Sequence, residues 1–184
     1  MAIKRINFDK SLTYYLKDKE QYLPCECHNN TYLKFYDYNY PEVEKRTDSF
    51  KYVTGLLLID DGAQKIAFIH SWIEKNNEII DVTVLANSFS VLSSIPESIM
   101  ENAKEKLSNK VRYMPIVSMS DLQFTKECQK LGASIGFNKE ASMKKVEEYL
   151  QSIVIEASKS PVIKKQTDDF GYKFVEGDYS FFLN

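Results

Sequence analysis

The run Lys-Ile-Ala-Phe-Ile-His-Ser-Trp-Ile-Glu at 65–74 constrains the fold more than any other stretch of the chain. At the period of two that a strand imposes, Ile66, Phe68, His70 and Trp72 share one face, and Ala67, Ile69, Ser71 and Ile73 the other. Both faces are largely apolar, so the run is expected as a central strand covered on both sides. Strand-like runs flank it at 51–59 and 78–85. Asp60-Asp61-Gly62 and Lys75-Asn76-Asn77 stand between them as hairpin signals.

Helical patterns surround this block. Leu12, Tyr15, Leu16 and Tyr22 fall on one face of a helix over 11–23, with Ser11 as its N-cap. Pro24 interrupts, and a second helix is expected over 27–36, followed by a charged loop or short turn at 42–50. The second half predicts a helix over 96–107 with proline at its start, a strand at 111–117, and a helix capped by Ser118 or Ser120 and stopped by Gly132. A longer helix over 140–158 carries Met143, Val146, Leu150, Ile153 and Ala157 at helical spacing. Segments 172–175 and 179–183, around Gly177-Asp178, are expected as a hairpin or paired end strands. The fold class is therefore α+β, one domain over 1–184 with no internal repeat.

Composition matters here for what it excludes. A net charge of −2 with interspersed signs supplies no basic field, so nucleic acid is not expected as a partner. The longest apolar run, 55–59, is far too short to cross a bilayer, and the opening residues lack the apolar core of a secretory signal. Three cysteines are an odd number, and Cys25 and Cys27 are too close for an easy disulfide. A reducing compartment is expected: the cytoplasm, or a host cytosol reached without a signal peptide.

Cys27, His70 and Asp81 are the candidate catalytic residues. Cys27 opens a helix, where unpaired N–H groups and the positive end of the dipole favour a thiolate and offer a donor to an oxyanion. There are only two histidines, His28 and His70, so a distant imidazole has one obvious candidate. Asp81 lies between Ile80 and Val82, and an acid in an apolar strand wants a partner. A hairpin centred on Asn76 would set His70 opposite Val82 and leave Asp81 one residue out of step; a bulge or a different turn would repair that. Each residue also has a plainer reading. Cysteine is commonly a buried small hydrophobe, and Cys128 within a helical pattern is expected in the core. Cys25 is a bystander or a resolving thiol. Trp72 is a core aromatic or a wall of the cleft, and Asn30, one turn after Cys27, is a surface residue or a support for the loop around the site. Cys25-Glu26-Cys27-His28 with His70 could be drawn as a zinc site, but it lacks the usual Cys-x2-Cys spacing, so no metal and no cofactor are expected.

The order of Cys27 on a helix, then His70-Ser71-Trp72-Ile73-Glu74, then Asp81-Val82-Thr83, resembles the transglutaminase-like core of the papain-like thiol superfamily. That family carries Cys on a helix, His-Ala-Trp-x-Glu on a strand and Asp-Pro-Thr on the next. The resemblance covers residues 21–85; valine replaces the proline, the connection from His to Asp is short, and no tryptophan follows the cysteine. It implies a Cys-bearing helix packed on an antiparallel sheet, with 86–184 as additional helices and strands. In papain-like enzymes a glutamine six residues before the nucleophile supplies an oxyanion donor, and Gln21 has that spacing. The implied activity is acyl transfer from a protein or peptide amide: hydrolysis, including glutamine deamidation, ahead of transamidation to an amine. The alternative is a non-catalytic protein-binding module, an inhibitor or effector that retains the fold.

Overall fold

A computed structural model of the chain describes residues 2–39, 50–89, 92, 94–131 and 139–175. Within them the elements run α1 (Phe8–Lys17), a 3-10 turn (Lys19–Gln21), α2 (Cys27–Asn39), β1 (Phe50–Asp60), β2 (Lys65–Lys75), β3 (Glu78–Ile80), α3 (Val82–Phe89), α4 (Glu97–Lys110), β4 (Val111–Met119), α5 (Asp121–Lys130), α6 (Lys139–Ser158), α7 (Pro161–Asp169) and β5 (Lys173–Phe174). The expected loop at 42–50 lies outside the described residues except Phe50, as do Gly132 and the second end strand at 179–183.

The class is α+β, built on a sheet ordered β3-β2-β1-β4 with antiparallel neighbours. β1 and β2 pair along their whole lengths, Phe50 against Lys75 and Asp60 against Lys65. Asp60 and Asp61 shape their connection by accepting bonds from the Gly62, Ala63 and Gln64 amides. The next connection is only two residues, Asn76 and Asn77, both with positive φ (52° and 64°). Asparagine tolerates that left-handed region, and such a turn matches the twist of the strands it joins. The turn thus centres between the two asparagines, and Ile73 pairs with Ile80.

Helices cover both faces of the sheet. On one face Val53, Leu57, Ile66, Phe68 and Trp72 pack with Phe8 and Tyr15 of α1, Leu85 and Phe89 of α3, and Leu107 of α4. On the other, Tyr52 and Ile73 meet Tyr32 and Phe35 of α2, Phe124 of α5 and Leu150 of α6, while Leu56 and Leu58 meet Val154 and Ile163. The apolar run of β2 has its cover on each side for this reason: each alternate set of side chains buries against different helices.

Three expectations are corrected, and one further helix, α7, is added to them. The run 78–85 is a strand only to Ile80; from Val82 it is α3, because Asp81 Oδ1 accepts the Thr83 and Val84 amides at 2.9 and 3.3 Å and so caps a helix. The first helix starts at Phe8 with Asn7 as its cap, and Ser11 is instead buried within it, bonding the Asn7 carbonyl. Residues 161–169 form α7, capped by Ser160 with Pro161 in its first turn. At the C-terminal end, Lys173–Phe174 pairs in parallel with Ile66 and Ala67 of β2, so the sheet is not wholly antiparallel.

One edge of β2 shapes the rest. β5 occupies Ile66 and Ala67, and β3 occupies Ile73 to Lys75. Among the described residues no strand pairs with this edge between them, and α2 lies there instead, with the Thr31 hydroxyl donating to the Ser71 carbonyl at 2.9 Å. Opposite, at Gly55, a Cβ would stand 2.1 Å from the Met114 carbonyl oxygen and 2.9 Å from the Trp72 ring. Gly55 pairs with His70, and the ladder to β4 shifts register beside it, where Pro115 sits.

Candidate active site

His70 and Asp81 are brought together by the two-asparagine turn. Continuing the β2–β3 register one residue past Ile73 and Ile80 sets Asp81 beside Trp72, on the face that His70 shares. No bulge is needed. The His70 Nε2–H donates to Asp81 Oδ2 at 2.5 Å, with both side chains at most 1 % exposed. The same carboxylate oxygen accepts the Tyr113 hydroxyl at 2.9 Å, while its other oxygen caps α3. The Asp81 amide donates to Ser11 Oγ at 3.0 Å. A buried carboxylate is tolerable only with such complete partnering.

The first residue of α2 reaches the same imidazole. The Cys27 thiol is hydrogen-bonded to the His70 ring, and with Nε2 engaged by Asp81, Nδ1 is the nitrogen left for sulfur. Burial opposes a charge on His70, but the Asp81 carboxylate and then Cys27 outweigh it and lift the ring from its ordinary 6.5 to about 10. His70 is therefore an imidazolium through the neutral range. Trp72 stacks behind it, ring centroids 6.2 Å apart and planes 20° from parallel, and Tyr113 packs edge-on to Trp72 at 5.1 Å.

His28 is the next residue after Cys27 but belongs to a different cluster. Its Nδ1 lies 2.7 Å from Ser71 Oγ and 3.3 Å from the Tyr52 hydroxyl, and Ser71 Oγ is 2.8 Å from Thr54 Oγ1. Burial first, and the charge on His70 second, push His28 down to about 3, so the ring is neutral. Among the described residues no cluster of His, Cys, Asp and Glu side chains is gathered to hold a metal ion.

The remaining candidates separate. Asn30 is fully buried, which removes the surface reading: its amide bonds both the N–H and the carbonyl of Leu23 and also donates to Thr83 Oγ1 at 3.1 Å, holding the loop before α2 against α3. Trp72 is fully buried behind His70 rather than walling an open cleft, because the His face of β2 is packed by α1 and α3. Gln21 ends the 3-10 turn and is exposed. Cys25 is exposed with φ of 64°, its N–H held by Asn87 Oδ1 at 2.8 Å, and Cys128 lies in the core as expected. Tyr113, Ser11 and Asn87 are contributors the sequence pattern does not single out; each reaches the site from a distant segment. No protein-family model, no curated protein and no solved structure matches the chain.

Proposed function

We propose that this chain is a Cys-His-Asp thiol enzyme with a papain-like or transglutaminase-like core, acting on a protein or peptide amide by acyl transfer. The observation that carries this reading is the imidazole of His70, engaged by the Asp81 carboxylate on one side and the Cys27 thiol on the other. An imidazolium there provides the counter-charge for a thiolate. The Cys27 sulfur attacks the amide carbon and forms the C–S bond, and the carbonyl electron pair moves to oxygen. His70 gives its proton to the departing nitrogen as the C–N bond breaks, leaving a thioester. Neutral His70 then takes a proton from water, whose oxygen displaces the sulfur to release the acid and restore the pair. Asp81 keeps the ring oriented throughout. Hydrolysis, including deamidation of a glutamine side chain, ranks ahead of transfer to an amine. None of the three cysteines is in a disulfide, which fits a reducing compartment such as the cytoplasm or a host cytosol.

One observation favours a second reading. Cys27 is only 7 % exposed and His70 is sealed, as a protein-binding module that retains the fold without turnover would allow. Thiol reactivity separates the two. With Cys25→Ser as the background, iodoacetamide at pH 7 should alkylate Cys27 roughly 10²-fold faster than Cys128, whose thiol burial pushes up to about 11. Equal rates at the two cysteines would leave the binding module as the reading.

A further inference from the structure

The structure points to Asn87 as the side chain that receives the substrate's carbonyl oxygen, a catalytic residue in the oxyanion site of the thiol enzyme proposed above; we infer that its Nδ2–H and the Cys27 backbone N–H form that site together.

Three observations converge on it. First, Asn87 is 6 % exposed, and its Nδ2 has no hydrogen-bond partner. A buried amide donor without a partner is destabilising, so its persistence calls for a use. Second, the orientation of the amide is fixed. Oδ1 accepts the Cys25 N–H at 2.8 Å and lies 3.8 Å from Cys25 Sγ, which leaves Nδ2 as the end that is turned free beside the loop entering α2. Third, helical spacing brackets the thiol. Thr83 and Asn87 lie four apart on one face of α3; Thr83 receives Asn30 of α2, and Asn87 receives Cys25 just before α2. Cys27 is three residues before Asn30 and four before Thr31, so it stands one turn above both. Asn30 faces α3 and Thr31 faces the β2 edge, which places Cys27 between them, with His70 on the β2 side and Asn87 on the α3 side.

That arrangement divides the labour. When sulfur attacks, negative charge develops on the carbonyl oxygen on the side away from His70. The amides of the first turn of α2 have no acceptor within the helix, and the Asn87 donor meets the same oxygen. Gln21, exposed on the 3-10 turn, is not needed for this role.

The test compares two reactions of one thiol in the Cys25→Ser background. Acylation of Cys27 by 4-nitrophenyl acetate, read as the burst of 4-nitrophenolate, passes through an oxyanion; alkylation by iodoacetamide does not. Asn87→Ala should lower the ratio of acylation to alkylation rate by roughly 10²-fold. Asn87→Asp keeps an acceptor for the residue 25 amide while removing the donor, and it should lower that ratio equally. Gln21→Ala should leave the ratio unchanged. If both rates fall together in the Asn87 variants, Asn87 only holds the loop and the inference is overturned; an unchanged ratio overturns it as well. A parent protein in which Cys27 reacts no faster than Cys128 overturns the thiol-enzyme reading itself, and this inference with it.

Discussion

Two buried polar clusters sit back to back on β2, and adjacent residues are dealt one to each. Cys27 and His70 belong to the cluster with Asp81 and Tyr113; His28 and Ser71 belong to the one with Tyr52 and Thr54. Both histidines are almost entirely withdrawn from solvent. One is charged and the other neutral, because burial decides for the neutral form unless a carboxylate is at hand. The hydroxyls of Ser71 and Tyr52 engage Nδ1 of His28 but supply no counter-charge. The difference teaches that Asp81 governs the chemistry of the site, since depth alone would have produced a second His28.

Asp81→Ala breaks the contrast most severely. It strips His70 of its counter-ion and α3 of its cap, and it should lower unfolding free energy by about 3–5 kcal/mol in denaturant titrations. The pH dependence carries its own signature. The folded value of His70, about 10, lies above the ordinary 6.5, so the stability it contributes is complete below pH 6.5 and lost as pH rises through 10. His28 runs the other way: held down to about 3, its neutral ring contributes fully above 6.5 and loses that contribution as pH falls toward 3. Thermal midpoints across pH should therefore show an alkaline limb that shrinks in Asp81→Ala, where only Cys27 still holds the proton on His70, and an acid limb that survives in it.

Tyr113→Phe is a gentler probe of the same cluster. Losing a bond to a charged oxygen should lower stability by about 1.5–3 kcal/mol and move the alkaline limb to higher pH, since Asp81 Oδ2, no longer shared with the hydroxyl, then serves His70 alone. An unmoved limb would show that the hydroxyl only fills space. Ser71→Ala tests the opposite cluster. Removing one partner of His28 should cost about 1 kcal/mol, because Tyr52 remains within reach, and the pH profile of Cys27 alkylation should not change. A shifted profile would mean that the two clusters are coupled through β2 and are not separate after all.

What the sequence disclosed follows from how local each signal is. The strands β1 and β2 were legible because period-two alternation and the Asp-Asp-Gly turn sit within a few residues of one another. So were the residues Cys27, His70 and Asp81 as a group, through their order along the chain. The switch from β3 to α3 was not. Val82, Thr83 and Val84 are β-branched and their run is buried all round, so neither propensity nor periodicity separates strand from helix there. An aspartate directly before that run was the available sign of a helix start. Ser160-Pro161 carried the same sort of sign for α7. Tyr113, Ser11 and Asn87 could not be found in this way, since each pairs with a residue far off in sequence, and pairing across the fold leaves no local pattern.

The helix that brings the thiol also covers the stretch of β2 with which, among the described residues, no strand pairs. A strand edge that is long, apolar and open is a template on which another copy of the chain can add its own strand. Seating α2 there, through Thr31 on the Ser71 carbonyl, makes this helix a guard against self-association as well as the bearer of Cys27. Thr31→Val keeps the shape of the side chain and removes that bond. Its damage should register as concentration-dependent light scattering on mild heating before any change appears at the thiol, and the propensity to form cross-β aggregates would then be set by the docking of one helix.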